Sequence, residues 1–341
     1  LHLLSRRQRQ MCIRDSDSTP VSFDVTEENS TQEGGITLIK VDKPNMAQKG
    51  TISVEKTGEV FFGVNVSGEE DKDVIYQPVY KVKGLAGAVY EITADEDVIT
   101  PDGTLRYHKG DVVDTVTTDE DGTAKSKELY LGKYTVVETK APTGMVINKE
   151  KHSVELTYAG QDVAVTETAT SFVNERQKVK ISLEKILEQD ETFGIGKNDE
   201  IKNISFGLYA KEDVVSSSGT VIPADGLIEI ITLDENGAAT ANTDLPFGSY
   251  YVKEIATDEH YILSDTQYPF TFEYAGQDTE TVEIKVNDGK PIENKLIYGS
   301  VSGKKIDENG EALGGALIGI FKADETCLLY TSPSPRDRSL S

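Results

Sequence analysis

Three times along the chain, an asparagine near the end of one strand-like run is followed eleven residues later by a lysine near the end of the next. The pairs are Asn45 and Lys56, Asn174 and Lys185, and Asn294 and Lys305. The residues between differ, so the spacing marks a structural register. The second junction lies 129 residues beyond the first and the third 120 beyond the second. Recurrence at that period describes a tandem array of domain-sized units. Other landmarks keep the alignment: Glu254 follows Glu138 by 116 residues and Tyr274 follows Tyr158 by 116, so four extra residues enter between Asp278 and Asn294.

The array divides into residues 17–47, the end of a repeat whose beginning is lost; two complete repeats, 48–177 and 178–297; and 298–326, the start of a truncated one. The two ends are set aside. Arg6-Arg7-Gln8-Arg9-Gln10-Met11-Cys12-Ile13-Arg14-Asp15-Ser16 resembles a translated sequencing-library adapter, and Cys327-Leu328-Leu329-Tyr330-Thr331-Ser332-Pro333-Ser334-Pro335-Arg336-Asp337 resembles the same element read from the other side. Residues 1–16 and 327–341 are therefore expected to be adapter-derived and not native. Both cysteines, Cys12 and Cys327, fall in these ends, so the stretch between has no thiol chemistry, no disulfide and no cysteine metal site. The formal net charge is −24, and the discarded ends carry more Arg than Asp, so the remainder is more acidic still. A surface of that sign excludes nucleic acid as a partner, since phosphate binding needs clustered cations.

Tyr, Val, Thr and Ile are abundant, Trp is absent and apolar runs are short, which predicts an all-β chain. Ile52, Val54 and Lys56 alternate with Ser53 and Glu55, so the lysine ends the apolar face of a strand. A polar insertion containing Glu69, Glu70, Asp71 and Asp73 reads as a surface loop, and Gly84 to Ile92 brings the chain back as a second strand. Asp119-Glu120-Asp121-Gly122, Asp234-Glu235-Asn236-Gly237 and Asp307-Glu308-Asn309-Gly310 predict type I′ hairpins. A calcium loop is the sharper alternative, but the further oxygen ligands and closing Glu of such a loop are missing.

Each complete repeat offers a Lys on its first strand, a Glu on a middle strand and an Asn on its last. Glu138 shares parity with Tyr134 and Val136, Glu254 with Tyr250 and Val252, and Asn174 with Phe172, so all three types point to the core side. A buried Lys is pushed toward its neutral, nucleophilic form, and a buried Glu toward its protonated form. A protonated Glu can hydrogen-bond to the Asn carbonyl and move protons. Attack of the Lys amine on the Asn amide carbon with loss of ammonia would join first and last strands covalently, driven by enforced proximity. That is one event per domain, without turnover.

Lys305 two residues before Asp307, followed by Asn309-Gly310 and Leu313-Gly314-Gly315-Ala316, forms one signature. With Val137-Glu138-Thr139-Lys140-Ala141-Pro142-Thr143-Gly144 and Phe172-Val173-Asn174, it resembles the three signatures of SpaA/Cna-B-type domains. These are prealbumin-like Greek-key β-sandwiches of Gram-positive adhesins and pilins. The resemblance implies two complete and two truncated sandwiches, with intramolecular isopeptide bonds Lys56–Asn174 and Lys185–Asn294 promoted by Glu138 and Glu254. Asn45 and Lys305 would be left unpaired by truncation. It also implies an extracellular, cell-wall-anchored shaft with no cofactor. Its partners would be neighbouring repeats of the chain, an unknown host or matrix ligand, and sortase in the full-length protein. The second repeat departs from the pattern, having Ile255-Ala256-Thr257-Asp258-Glu259-His260-Tyr261 in place of the Ala-Pro-x-Gly loop.

Two other functions compete. A binding module would use Val60 to Tyr80, or the Asp95 to Asp114 loop, as a contact surface for host protein or glycan, exposing Phe61, Phe62, Tyr76 and Tyr107 around a groove. An enzyme is disfavoured, because outside the ends the histidines are only His108, His152 and His260 and no HExxH, GxSxG or P-loop occurs.

Overall fold

A computed structural model of the chain describes residues 20, 22, 24, 26, 28, 30–39, 46–68, 74–160, 163–315, 318–321 and 327–331. Asn45, residues 1–16 and 332–341, the acidic stretch Glu69 to Asp73, and Gln161-Asp162 lie outside the described residues. Alternation of β-branched and aromatic residues with polar ones makes strands with one dry face, and two such sheets stacked face to face form each sandwich.

The first sandwich comprises β1 (Lys49–Ser67), β2 (Ile75–Gly84), β3 (Val89–Ala94), β4 (Val112–Thr117), β5 (Thr123–Lys125), β6 (Gly132–Lys140), β7 (Lys151–Leu156) and β8 (Val165–Asn174). One sheet runs β7-β6-β3-β4. In the other, β1 pairs antiparallel with β5 and parallel with β8. Ile52, Val54, Tyr90, Ile92, Tyr134, Val136, Leu156 and Phe172 meet between them.

The second sandwich repeats the plan with β9 (Lys178–Leu187), β10 (Ser205–Ala210), β11 (Leu227–Thr232), β12 (Ala238–Thr240), β13 (Gly248–Ala256), β14 (Gln267–Phe272), β15 (Thr281–Lys285) and β16 (Ile292–Asn294). Its sheets are β11-β10-β13-β14, and β9 flanked by β12 on one side and by β15 and β16 on the other. The four extra residues of this repeat are visible as a turn, Val286–Gly289, that splits the last strand into β15 and β16. Asn287, Asp288 and Gly289 take positive φ there, which steps the chain without losing the parallel pairing to β9.

The expected type I′ hairpins are replaced by a different turn. At Asp119 to Gly122 only the glycine has positive φ, the Gly122 N–H donates to the Asp119 carbonyl, and the Asp119 carboxylate accepts from the Asp121 and Thr123 N–H groups. This is a side-chain-capped turn followed by a left-handed Gly, and it carries the chain between layers, from β4 to β5 in the opposite sheet. Asp234 to Gly237 does the same between β11 and β12. The signal for a turn was right and its type wrong, because the strands it joins do not pair with each other.

The insertion after Lys56, whose acidic stretch expected as a surface loop lies outside the described residues, is strand on both sides of that stretch. Its arms extend β1 and β2 into a long antiparallel hairpin, Thr57 to Ser67 against Ile75 to Gly84, which reaches the second sandwich. Phe61, Val64 and Tyr76 pack against the second core. The Ser217 and Ser218 N–H groups donate to the Phe61 and Phe62 carbonyls, and Ile75 forms a parallel bridge to Leu227 of β11. Tyr80 donates to the Asp244 carbonyl at 3.0 Å, while the Arg176 guanidinium lies 3.8 Å from its ring centre and pairs with the Asp244 carboxylate. Of the four candidate contact aromatics, Phe61 and Tyr76 are thus committed to the joint. Phe62 lies under the Lys81 and Lys83 ammonium groups, and Tyr107 packs on Tyr130 and Tyr134 of the first core.

A substitution in the first repeat should therefore destabilise the second. Phe61→Ala is expected to lower the unfolding free energy of the second sandwich by about 1–3 kcal/mol, read as faster amide exchange in β10 and β11. Unchanged exchange there, with β3 and β6 intact, would refute a stabilising brace.

Candidate functional site

Parallel pairing of first and last strands is what assembles the candidate site. Lys56 lies opposite Phe172, and Gly58 opposite Asn174, so Lys56 and Asn174 are diagonal neighbours on the inward face. In the second repeat Lys185 lies opposite Ile292 and Leu187 opposite Asn294, the same offset. Glu138 on β6 and Glu254 on β13 approach from the facing sheet.

In the first repeat the Lys56 ammonium nitrogen donates to Asn174 Oδ1 and lies 3.3 Å from Glu138 Oε1. Asn174 Nδ2 donates to both Glu138 oxygens at 3.0 Å. Glu138 Oε2 also accepts the Asn148 N–H at 2.7 Å. In the second repeat Lys185 Nζ donates to Asn294 Oδ1 at 2.5 Å and lies 3.4 Å from Glu254 Oε1. Asn294 Nδ2 donates to Glu254 Oε1 at 2.7 Å and to Thr257 Oγ1 at 2.9 Å, and Glu254 Oε2 accepts the Ser264 N–H at 3.0 Å. All six side chains are buried, the two lysines at 0% and 1% exposure.

This corrects one expected contact. Both glutamates bind the amide nitrogen, and the carbonyl oxygen is taken by the lysine, so the carboxyl faces the leaving side of the amide. Burial pushes the Lys56 amine below the ordinary lysine range, with Glu138 opposing part of that shift; burial does the same to Lys185, opposed by Glu254. Phe172 and Phe206 wall the two amines, with ring centres 5.9 and 5.7 Å from the nitrogens. Asn45 lies outside the described residues, and Lys305 is exposed, with neither a Glu nor an Asn side chain placed against it among the described residues.

Several positioning residues were missed. The Lys56 N–H donates to the Gly122 carbonyl and the Lys185 N–H to the Gly237 carbonyl, both at 2.7 Å. A Cβ on Gly122 would come within 2.3 Å of the Lys56 carbonyl oxygen, and one on Gly237 within 2.2 Å of that of Lys185. The turn glycines therefore seat the lysine backbone, a role hidden by reading them only as punctuation. Tyr90 lies opposite Glu138 in the β3–β6 register, and Phe206 opposite Glu254. Burial, reinforced by the Glu138 carboxylate, holds the Tyr90 hydroxyl well above the ordinary tyrosine range. Asn148 and Ser264, each ten residues beyond its glutamate, were findable from the common 116-residue offset.

The SpaA prealbumin-like fold domain model matches residues 79–170 and 191–290, and the chain belongs to that family. Among solved structures it resembles the Bacillus anthracis TIE protein, with 18% identity and a TM-score of 0.50 over 86% of this chain and 44% of that one. It thus spans less than half of that protein's length. It also resembles GBS52, the minor pilin of Streptococcus agalactiae, at 15% identity and TM-score 0.26 over 75% of this chain and 100% of that one. The shaft pilin SpaA of Lactobacillus rhamnosus GG is matched at 14% identity and TM-score 0.23 over 74% and 100%. Comparison with curated protein sequences gives no match.

Two outcomes follow from this geometry. Gly122→Ala should displace β1 at Lys56 and destabilise the first repeat by more than about 1 kcal/mol, with a smaller loss in the second through the β1–β2 hairpin that braces it, as calorimetry would show. In a chain carrying Asn174→Ala and Asn294→Ala, the lysines stay free. An amine whose folded pKa is lowered binds fewer protons folded than unfolded between that pKa and its ordinary value, so stability rises with pH in that window. The slope is at most about 1.4 kcal/mol per pH unit per lysine. Buried Tyr134, raised by burial, acts oppositely once unfolded tyrosines ionise, so the rise is read below about pH 9. Urea titrations should show the rise, and adding Lys56→Met and Lys185→Met should flatten it.

Proposed function

We propose that the chain is part of the shaft of a Gram-positive cell-surface protein, a pilus subunit or adhesin stalk, whose complete repeats each close one Lys–Asn isopeptide bond. The observation that supports this is the pair of buried Lys–Glu–Asn sites, each bridging the first and last strands of its sandwich. The neutral amine attacks the asparagine Cγ; the carboxyl takes a proton from the attacking nitrogen and delivers one to the departing amide nitrogen. Amine and carboxamide become a secondary amide plus ammonia, the glutamate is regenerated, and no cofactor takes part.

Closed loops of 118 and 109 residues restrict the unfolded chain by about 4.7 kcal/mol each in the chain-entropy view. Mechanically, tension entering on a first strand and leaving on a last strand passes through the new amide, and the sandwich behind it is shielded. Extracellular anchoring and handling by sortase belong to this same reading. A ligand-binding module is less well supported, since two of its four candidate aromatics, Phe61 and Tyr76, are half-buried against the second core.

Intact mass tests the bonds. The folded stretch 48–297 should be lighter than its sequence mass by two ammonia molecules, Glu138→Ala should restore one of them, and Glu138→Ala with Glu254→Ala both. A folded protein at its full sequence mass would sink the proposal.

A further inference from the structure

The two sites share Lys, Glu and Asn, and among their differences two concern a hydroxyl close to the reacting groups. Tyr90 on β3 corresponds to Phe206 on β10, and Ala141 to Thr257, both by the 116-residue offset that relates Glu138 to Glu254. Ala141 and Thr257 are the first residues beyond β6 and β13, the strands that carry the glutamates. The first site therefore has a hydroxyl on the strand beside its glutamate and none on the following loop. The second has the reverse.

In the second site the departing nitrogen is held between a carboxyl and a hydroxyl: Asn294 Nδ2 donates to Glu254 Oε1 at 2.7 Å and to Thr257 Oγ1 at 2.9 Å. In the first, Asn174 Nδ2 donates to the two Glu138 oxygens, both at 3.0 Å, and to no hydroxyl among the described residues. Tyr90 instead lies opposite Glu138 in the β3–β6 register and is fully buried. Its oxygen meets no hydrogen-bond partner among the described residues, and the charge that acts on it is the Glu138 carboxylate. A buried, unpartnered hydroxyl is costly. The fold does not need it, because Phe206 fills the matching place in the second core without one.

We infer that a hydroxyl at each site assists delivery of the proton to the departing amide nitrogen, Thr257 as a catalytic residue touching that nitrogen and Tyr90 as a positioning residue acting through Glu138. In the proposed closure the proton that leaves Lys Nζ passes to the glutamate and from it to Asn Nδ2. The Cγ–Nδ2 bond then breaks, its electron pair leaves with ammonia, and the new link keeps one N–H. As that proton arrives, the glutamate becomes anionic and the nitrogen ammonium-like. Thr257 accepts an N–H of the nitrogen, a bond that strengthens as positive charge develops there. Tyr90, uncommitted beforehand, donates to the carboxylate left behind and makes the protonated glutamate a readier acid. Both hydroxyls keep their own protons, and they support opposite ends of the same transient ion pair.

The inference rests on the isopeptide reading above, and the test separates the two. The chain is made by cell-free synthesis, and both closures are followed at timed intervals, with tryptic peptides reporting Lys56–Asn174 and Lys185–Asn294 separately. Tyr90→Phe should slow the first closure by about fivefold or more and leave the second at its unsubstituted rate; Thr257→Val should do the reverse. Thr257→Ser keeps the hydroxyl and should close within about twofold of the unsubstituted rate. In an Asn174→Ala chain, which cannot close its first link, Tyr90→Phe should leave the urea midpoint of the first sandwich unchanged or raised, since it removes an orphan hydroxyl. A fall in that midpoint alongside the slowing would make Tyr90 a structural residue and overturn its assignment. Unsubstituted rates in the folded Tyr90→Phe and Thr257→Val chains, or equal slowing by Thr257→Ser and Thr257→Val, would overturn the inference while the bonds stand. No closure in the unsubstituted chain would overturn the isopeptide reading and this inference with it.

Discussion

The parallel contact between the first and last strand of each sandwich is the constraint on which everything else depends. Parallel neighbours cannot be joined by a tight turn, so the chain must cross both layers before its end lies beside its beginning. The pairing therefore closes the largest loop the repeat contains and places Lys and Asn, more than a hundred residues apart, on one inward face. Two charged groups in a dry interior are costly, and removing one partner costs more than the pair contributes. The isopeptide bond proposed above would end that cost: the lysine proton passes to the glutamate, ammonia leaves, and an uncharged link would remain, walled by Phe172 or Phe206.

Much of this was legible in the sequence because strand parity is strict. Once Ile52, Val54 and Lys56 alternate with polar residues, the lysine must point inward, and the repeat period identifies the Glu and Asn that share its environment. Even the four-residue excess of the second repeat was placed within the correct segment, where the Val286–Gly289 turn accounts for it. Three things were not legible, each for a physical reason. The turn type depends on whether the flanking strands pair, which local sequence does not state. The direction of the carboxyl toward the amide nitrogen depends on the facing sheet. The fate of Phe61 and Tyr76 depends on a second domain, and an amphipathic hairpin reads the same whether its apolar face meets a ligand or a neighbour.

The two repeats solve the same local problem with different atoms. Each carboxyl receives one backbone N–H from the residue ten positions on, so that contact is fixed by the fold. The remaining space is filled differently. The first repeat sets a tyrosine opposite its glutamate, and the second sets a phenylalanine there and supplies the Thr257 hydroxyl to the amide nitrogen from the loop that replaced Ala-Pro-x-Gly. The departure from the family pattern in that loop thus adds a contact at the candidate site.

The joint completes the mechanical argument. The link proposed between first and last strands would shield the interior of one repeat, yet would leave the connection between repeats as the weakest element under load. Here the connector is short, since Asn174 is followed within four residues by β9, so bending must be resisted by contacts on either side of it. The long β1–β2 hairpin packs against the second core, and the loop around Gln277, held by Gln177, contacts the first repeat at Ala141 and Ile147. These contacts are noncovalent, so the joint should yield before repeats cross-linked as proposed do. A rod built this way would dissipate moderate force by reversible unseating, with no cross-linked sandwich having to unfold.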